Sequence, residues 1–268
     1  MQTILITGAT DGIGKLTAIE LATKYREATI IVHGRTTAKL DKAIVDIKRA
    51  SSNENIEGHI ADFTSLSEVR QLAREILSRH EHINILINNA GAGTAPPRYG
   101  RDGTEVRFTV NYLAPVVLTT LLLPVLKKAA PARIVNVSSA GQSAIHFDDV
   151  FLEKRFNAGT AYTQSKLALT MFTFDLAAQL QKEGVTVNAL HPGTYLDTNM
   201  VREAGVSPLG TAQSGAEAVV YLATANDVKD VTGRYFNVKQ EAKAHPQAYD
   251  AMAREKLKAI THTLIQDY

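Results

Sequence analysis

The sequence of 268 residues contains no cysteine and no tryptophan. The absence of cysteine excludes disulfide bonds, thiolate metal sites and cysteine nucleophiles, and it is typical of a reducing compartment, so we expect a cytoplasmic protein. Neither sign of charge dominates, since the sequence has 29 Lys and Arg residues and 27 Asp and Glu residues, which gives a formal net charge of +2. Positive and negative residues are interspersed along the chain. We therefore expect no basic stripe that would bind nucleic acid and no polybasic patch that would bind a membrane.

Long apolar runs are also scarce. The strongest, residues 110–126, is shorter than a comfortable membrane span and contains Asn111 and Pro115, which favours a buried core helix. The first apolar strand begins close to Met1, so we expect neither a signal peptide nor an N-terminal membrane anchor. The eight histidines are scattered without the H-x-x-x-H spacing of helical zinc ligands, and we predict no metal site.

Short apolar runs alternate with helical patterns along the chain. The runs that predict strands are residues 4–7, 29–32, 56–60, 83–87, 133–137, 185–190 and 234–238. Apolar residues at helical spacing separate them, and the last predicted helix lies around residues 216–223. Strands that are apolar on both faces indicate a parallel sheet covered on both sides. We therefore predict an α/β protein with a single doubly wound Rossmann domain over residues 1–268, containing a central parallel sheet of about seven strands with helices on both faces.

A glycine-rich loop joins the first predicted strand to the first helix. Glycines at such a turn let the main chain approach a pyrophosphate, whose charge then lies at the helix N-terminus. The spacing G-x-x-x-G-x-G differs from the commoner G-x-G-x-x-G, and an ordinary strand-to-helix turn is the alternative. The position of the loop favours a dinucleotide site. Its candidate residues are Gly8, Thr10, Asp11, Gly12, Ile13 and Gly14.

The end of the second predicted strand carries a basic residue. NAD sites usually place a carboxylate about 20 residues beyond the glycines, where it holds the ribose hydroxyls. This chain has His33, Gly34, Arg35 and Thr36 there. The fork of donors on Arg35 suits a 2′-phosphate, although a solvated surface arginine is the alternative. We predict NADP(H) as the cofactor.

Tyr162 and Lys166 are four residues apart and therefore share one face of a predicted helix. A free tyrosine has a pKa near 10, and a neighbouring ammonium lowers this pKa by favouring the phenolate. The pair could therefore serve in acid–base catalysis. Taken alone, the spacing is more often a coincidence on a protein surface.

Several motifs together make the chain resemble the short-chain dehydrogenase/reductase family. In chain order they are residues 7–14, 88–91, Asn111, residues 136–139, Tyr162 with Lys166, and Pro192 with Gly193. The resemblance implies a nucleotide-binding Rossmann fold and hydride transfer between a nicotinamide and a carbonyl or alcohol. It also implies pairing of the helices at 114–126 and 161–180 between subunits, in a homodimer or homotetramer.

The resemblance assigns roles to individual residues. It makes Tyr162 the catalytic acid/base and Lys166 the residue that assists it and holds the nicotinamide ribose, and it places both residues in contact with the cofactor. Ser139 would bind the substrate oxygen, with the adjacent Ser138 as an alternative. Asn111 would bind a relay water through its main chain. The further implied cofactor contacts are Asp62, Phe63, Asn89, Ala90, Gly91, Pro192, Gly193 and Thr198, with Thr194 as the alternative to Thr198.

The role of Asn111 has support that does not depend on the resemblance. In an α-helix the N–H of residue 115 would donate to the carbonyl of Asn111, but residue 115 is a proline and has no N–H. The carbonyl is then free for another donor. A plain helix kink is the alternative.

The segment between Ser139 and Tyr162, with residues 102–103, 191–193 and 233–236, resembles the retinol-dehydrogenase-like branch of the family. That branch acts on lipophilic alcohols and carbonyls. The chain departs from it at residues 111–115 and after Gly193, so the branch does not fix the substrate. Residues 198–213 lack a clear pattern, and we interpret them as a mobile substrate lid.

The predicted function is that of an NADP(H)-dependent oxidoreductase acting on a small-molecule carbonyl or alcohol. Apolar residues of the lid favour a lipophilic substrate. The alternatives are a reductase of small polar carbonyls and a non-catalytic NADP(H)-binding redox sensor.

Overall fold

The computed structural model describes residues 2–266, and its strands form one eight-stranded sheet. The strands are β1 (Thr3–Ile6), β2 (Thr29–Gly34), β3 (Ile56–Ile60), β4 (Ile85–Asn88), β5 (Ala132–Val137), β6 (Val185–His191), β7 (Tyr235–Asn237) and β8 (Gln240–Ala242). Their order in the sheet is β3-β2-β1-β4-β5-β6-β7-β8. All neighbours are parallel except β7 and β8, which are antiparallel.

Helices connect the parallel strands, and a last helix follows β8. They are α1 (Gly12–Lys24), α2 (Thr37–Ser51), α3 (Leu66–Arg79), α4 (Val106–Phe108), α5 (Ala114–Lys128), α6 (Ala158–Gln179), α7 (Asn199–Glu203), α8 (Ala212–Thr224) and α9 (Ala251–Gln266). A π-helical turn, Thr109–Leu113, links α4 to α5, and a 3-10 turn, Pro246–Tyr249, precedes α9.

Both faces of the sheet are apolar because helices cover both. On β1, Leu5 belongs to the core under α3, α5 and α6, while Ile4 and Ile6 belong to the core under α1, α2 and α8. Successive side chains of a strand point to opposite faces, so an unbroken apolar run is what a doubly covered strand requires. The predicted α/β class and the doubly wound parallel sheet are confirmed.

The apolar run at 110–126 is part of the core. The stretch Val106–Lys128 has the length and composition of a membrane span, yet most of it is buried inside the described structure. Leu113, Leu118, Leu122 and Leu126 are fully buried in the same core as Leu5.

The C-terminal quarter differs from the sequence prediction. The sheet has eight strands because the chain turns at Val238, which has a positive φ of 58°, and adds β8 antiparallel to β7. The helix around 216–223, predicted as the last one, is followed by α9. Leu257 of α9 is buried, and Ile260 and Leu264 pack against the core.

The strand order reverses between β1 and β4. In a doubly wound sheet, the crevice at the carboxyl ends of the strands on either side of such a point is where ligands bind. The glycine loop leaves β1 there, residues 89–91 leave β4, and residues 138–139 leave β5. The fold thereby brings three separate sequence motifs to one edge of the sheet.

Candidate active site

The glycine loop is held against the end of β4. Gly8 has a positive φ of 64°, and a Cβ atom on it would lie 2.7 Å from the Cα atom of Ala90. The side chain of Asn89 donates to the carbonyls of Thr7 (2.9 Å) and Gly8 (3.0 Å). In return, the Thr7 hydroxyl accepts from the main-chain N–H groups of Asn89 and Ala90, each at 3.0 Å. Only glycine fits at residue 8, and Asn89 fixes the loop in place.

The loop ends at the N-terminus of α1. Asp11 is the N-cap residue, and its carboxylate accepts from the N–H of Gly12 at 2.7 Å. A side chain on Gly14 would overlap the carbonyl of Gly8, so this glycine allows the helix to pack close to the loop. Thr10 packs against Gly34, at the end of β2. The predicted nucleotide residues of this loop therefore form one continuous surface with the end of β2.

Arg35 and Asp62 lie at the ends of β2 and β3. Arg35 is exposed and has no ion pair within residues 2–266. Asp62 is half-buried, and its carboxylate accepts from the N–H of Thr64 at 3.0 Å. Phe63 is buried and stacks on the ring of His33, with 4.1 Å between centroids. A cofactor would therefore meet the main chain of Phe63 rather than an exposed ring.

Tyr162 and Lys166 lie in the first half of α6. Asn157 precedes this helix as its N-cap residue, and its side chain accepts from the N–H of Thr160. The Lys166 side chain is only 4% exposed. Its Nζ donates to the carbonyl of Val137 at 2.9 Å and lies 5.8 Å from the centroid of the Tyr162 ring. The predicted pair is therefore a real contact of the fold, at the carboxyl end of β5.

Burial controls the protonation of this pair. It raises the pKa of the Tyr162 phenol, and the neighbouring Ser139 hydroxyl opposes that effect in part. Burial lowers the pKa of Lys166 to about 8. In the described chain, the Ser139 hydroxyl is the neighbour that lowers the pKa of Tyr162. The effect of the Lys166 ammonium on this pKa, which the sequence argument expects, stays a prediction.

Ser138 and Ser139 differ in orientation. The Ser138 hydroxyl is 2.9 Å from both the Lys166 carbonyl, to which it donates, and the Thr170 hydroxyl. The Ser139 hydroxyl accepts from the N–H of Gly141 at 3.0 Å. A Cβ atom at Gly141 would lie 3.5 Å from this hydroxyl and 3.9 Å from the Tyr162 ring. Ser138 thus ties β5 to α6, and Ser139 faces Tyr162.

Tyr235 is a neighbour of this site that the sequence analysis missed. Its hydroxyl donates to the carbonyl of Ser139 at 2.9 Å, and the Gln142 side chain donates to the same carbonyl at 2.9 Å. Burial, and then the negative charge that Tyr162 carries when ionised, raise the pKa of Tyr235 to about 12. The contact joins β7 to the end of β5, two segments that are far apart in the chain, so local sequence patterns do not predict it.

Asn111 is fully buried between three segments. Its side chain donates to the Ser165 hydroxyl (2.9 Å) and the Ala92 carbonyl (3.0 Å), and accepts from the Ala92 N–H (2.7 Å). The chain around it forms a π-helical turn, in which the N–H of Ala114 donates to the carbonyl of Thr109. The sequence argument assumed an α-helix here. Single π turns of this kind are frequent at functional sites.

The segment after β6 lies over the glycine loop. Pro192 is buried, and Gly193 has a positive φ of 136°. The Thr198 methyl group would be 3.2 Å from a Cβ atom on Gly12, whereas the Thr194 hydroxyl is 3.1 Å from a ring nitrogen of His191. Of the two threonines left open by the sequence, Thr198 is therefore the one beside the loop.

Met200 of α7 reaches the catalytic side of the crevice. A Cβ atom on Gly93 would lie 2.6 Å from its Cγ atom. At Gly91, a Cβ atom would lie 3.5 Å from the Met200 Cε, 3.3 Å from the Asn111 Oδ1 and 3.5 Å from the Lys166 Nζ. Gly91 is consequently the point at which the predicted lid meets the predicted catalytic residues.

A buried ion pair shapes the loop after Gly91. Arg107 and Glu105 are both 1% exposed, and the Arg107 Nη1 is 3.0 Å from the Glu105 Oε1. Arg107 also donates to the carbonyls of Gly93 and Pro97, each at 2.8 Å, and to that of Ala95. A buried guanidinium with this many acceptors fixes the loop rigidly. Glu105 and Arg107 are two residues apart, and this spacing is too common to predict a buried ion pair from the sequence alone.

Comparisons with known proteins identify the family of the chain. A family model described as short chain dehydrogenase matches residues 2–207. Retinol dehydrogenase 13 of Homo sapiens is 39% identical, with 98% of this chain and 84% of the relative covered. Retinol dehydrogenase 12 of Homo sapiens is 36% identical, with 98% and 86% covered.

Solved structures are similar to this chain over most of its length. An uncharacterized protein from Mycobacterium paratuberculosis has a TM-score of 0.80 and 30% identity, with 99% of this chain and 94% of that chain covered. The Pseudomonas aeruginosa RhlG/NADP active-site complex has a TM-score of 0.71 and 25% identity, with 88% and 94% covered. With its doubly wound sheet, its glycine loop and its Ser139–Tyr162–Lys166 cluster, the chain belongs to the short-chain dehydrogenase/reductase family of oxidoreductases, in its retinol-dehydrogenase-like branch.

Proposed function

We propose that the protein is an NADP(H)-dependent oxidoreductase that interconverts a carbonyl and an alcohol, with Tyr162 as acid/base. The observation that carries the proposal is the convergence of Ser139, Tyr162 and Lys166 at the carboxyl edge of the sheet: Ser139 adjoins Tyr162, and the Lys166 ammonium lies over the Tyr162 ring. A hydroxyl, a phenol and a buried ammonium are the groups that reversible proton transfer to a carbonyl oxygen requires.

The residues present fit a nicotinamide dinucleotide. The Lys166 ammonium has three N–H donors, and the Val137 carbonyl is its one hydrogen-bond acceptor among residues 2–266, so two donors are available to ribose hydroxyls. Asn89, Ala90 and Gly91 border the glycine loop on the same side. When bound, NADP(H) supplies or accepts the hydride.

Arg35 supports NADP(H) over NAD(H). It is exposed at the end of β2, has no carboxylate partner in the described chain, and follows Gly34 without an intervening acidic residue. Its guanidinium can bind a 2′-phosphate through two parallel hydrogen bonds. The NADP complex of RhlG is consistent with this choice of cofactor.

In the reducing direction, Tyr162 donates its hydroxyl proton to the carbonyl oxygen of the substrate. Ser139 holds that oxygen by donating its O–H, which the contact with the Gly141 N–H leaves available, since that contact uses a lone pair. Lys166 then returns a proton to Tyr162 through water held at Asn111. Oxidation of an alcohol runs these transfers backwards.

Residues 198–213 act as a mobile substrate lid in this proposal. Their main helix, α7, has no buried residue, and Met200 is the part of it that reaches Gly91 and Gly93. Met200 places an apolar side chain over the crevice, which supports a lipophilic substrate. Such a lid would open to admit the substrate and close to exclude water.

The test is NADPH consumption with ketones, aldehydes and quinones of graded polarity, in wild type and Tyr162→Phe. We expect turnover with apolar carbonyls in wild type, a loss of at least about a hundredfold in the variant, and NADPH affinity unchanged. Tyr162→Phe that retains wild-type turnover would place the chemistry elsewhere. If both proteins bind NADPH and neither consumes it with any carbonyl, the redox-sensor alternative replaces the enzyme.

A further inference from the structure

The side chain of His33 forms two hydrogen bonds inside the nucleotide half of the site. His33 lies in β2 and is 3% exposed. The main-chain N–H of Gly8 donates to its Nδ1 at 3.2 Å, and its Nε2 is 2.9 Å from the carbonyl oxygen of Ala61. One ring therefore contacts the first glycine of the loop on one side and the turn after β3 on the other.

These partners determine the protonation of the ring. A carbonyl oxygen only accepts, so Nε2 carries the hydrogen and donates it to Ala61. A main-chain N–H only donates, so Nδ1 presents a lone pair to Gly8. The imidazole is consequently neutral and in the Nε2–H tautomer. Burial is the main cause that lowers its pKa, to about 4, in agreement with this assignment.

The two partners of His33 belong to opposite parts of the nucleotide crevice. Gly8 begins the loop that faces the phosphates, and Ala61 directly precedes Asp62 and Phe63 on the adenosine side. The ring also stacks on Phe63, with an angle of 18° between the planes. The ring thus joins the phosphate loop to the adenosine turn.

We infer that His33 is a positioning residue of the nucleotide site, which holds the phosphate loop and the adenosine turn at the spacing that NADP(H) requires. The inference rests on the proposed binding of NADP(H). A planar ring with a donor and an acceptor on opposite edges satisfies both main-chain groups at once. Alanine leaves a buried N–H and a buried carbonyl without partners, and glutamine offers a donor to Ala61 without a second group that reaches Gly8.

His59 provides a matched control. It lies opposite His33 in the β2–β3 register and is 4% exposed, but its ring contacts Glu75 of α3, at 3.4 Å, and not the glycine loop. His33→Ala and His59→Ala therefore remove the same ring from the same face of the sheet. The main-chain bond from the Ala9 N–H to the His33 carbonyl, 2.9 Å, is kept in both variants.

The experiment measures the dissociation constants of NADPH and of 2′,5′-ADP by calorimetry, with kcat at saturating NADPH and the unfolding temperature. For His33→Ala we expect both ligands to bind roughly tenfold to a hundredfold more weakly, with kcat little changed. His59→Ala should lower the unfolding temperature and keep wild-type affinities. His33→Gln, which leaves Ala61 a donor, should also bind NADPH more weakly and serves if the alanine variant does not fold.

The outcomes separate the two proposals. Wild-type affinity in the folded His33 variants, or equal weakening in His59→Ala, overturns the role of His33 while the proposed function stands. A wild-type protein that binds neither ligand overturns the proposed function and this inference with it. In addition, ¹⁵N NMR of the wild-type imidazole should show a protonated Nε2 and an unprotonated Nδ1, and the opposite tautomer would contradict the hydrogen bonds on which the inference depends.

Discussion

Two adjacent serines at the end of β5 have different surroundings, and their substitution should have different effects. Ser139→Ala removes the group that holds the substrate oxygen, and we expect kcat to fall about 10²- to 10³-fold with little change in stability. Ser138→Ala leaves the Lys166 carbonyl and the Thr170 hydroxyl without this partner. We expect it to lose about 1–3 kcal/mol of unfolding free energy and to keep most of kcat.

Steady-state kinetics and urea unfolding of both variants check this division. Equal losses of turnover would contradict it, since they would mean that the two hydroxyls share the task of binding the substrate. Equal losses of turnover would also follow if the Ser138 hydroxyl pointed toward Tyr162 during catalysis.

The charge of Arg35 should decide the cofactor. Arg35→Asp replaces a phosphate-binding fork by a carboxylate that repels a 2′-phosphate and accepts from ribose hydroxyls. We expect the ratio of kcat/KM values for NADPH over NADH to fall at least roughly tenfold to a hundredfold. Arg26→Asp makes the same change of charge at another exposed residue, away from the crevice, and should leave the ratio unaltered. A wild-type enzyme that uses both cofactors equally would contradict the role of Arg35.

On α6, the pKa of Lys166 should appear in the pH dependence of the reaction. The value of about 8 lies below the ordinary value of 10.5, so the ammonium is present below pH 8 and is lost as the pH rises through it. The kcat/KM for NADPH reports the enzyme before cofactor binding. We therefore expect it to decline above about pH 8.

Lys166→Arg tests this assignment, because a guanidinium keeps its charge throughout the range. We expect lower activity of this variant, because the larger guanidinium changes the contact with the Val137 carbonyl, but the decline near pH 8 should disappear. A decline that persists unchanged in the variant would assign it to another group.

Elements with strong apolar patterns were predicted from the sequence, and those that depend on tertiary contacts were not. β1 to β7 follow from runs such as Ile30, Ile31 and Val32, which only a doubly covered sheet can bury. β8 is exposed and carries no such pattern, so its pairing with β7 is what makes it a strand. The helix α9 is an exception, since its apolar spacing at Leu257, Ile260 and Leu264 could have been used to predict it.

The candidate site divides in the same way. Tyr162, Lys166 and the glycine loop could be predicted, since several motifs of the family occur together and in its order along the chain. Tyr235, Arg107 and His33 could not, because each acts through a carbonyl or N–H group supplied by a distant segment. The choice of Ser139 and of Thr198 over their neighbours needed side-chain directions. The roles assigned to all these residues stay predictions until the variants are measured.

At the scale of the whole molecule, α9 lies against the region where the family resemblance implied pairing of subunits. Arg254 donates to Asp175 of α6 at 2.7 Å, and the Thr261 hydroxyl is 2.6 Å from that of Tyr112 in the π-helical turn. Beside them, the rings of Phe174 and Tyr249 are 5.4 Å apart. In α5 and α6, Leu121 is the exposed large apolar residue, at 37%.

These contacts lead us to expect a monomer. Stable subunit interfaces have an apolar core, and α9 already covers part of the surface that would supply it. Sedimentation velocity should give the mass of one chain, and a truncated chain that ends at Asp250 should associate, because Leu257, Ile260 and Leu264 no longer cover the core. If the intact chain is a dimer that Leu121→Glu dissociates, then α5 forms the interface in spite of α9, and the homodimer implied by the family resemblance is correct.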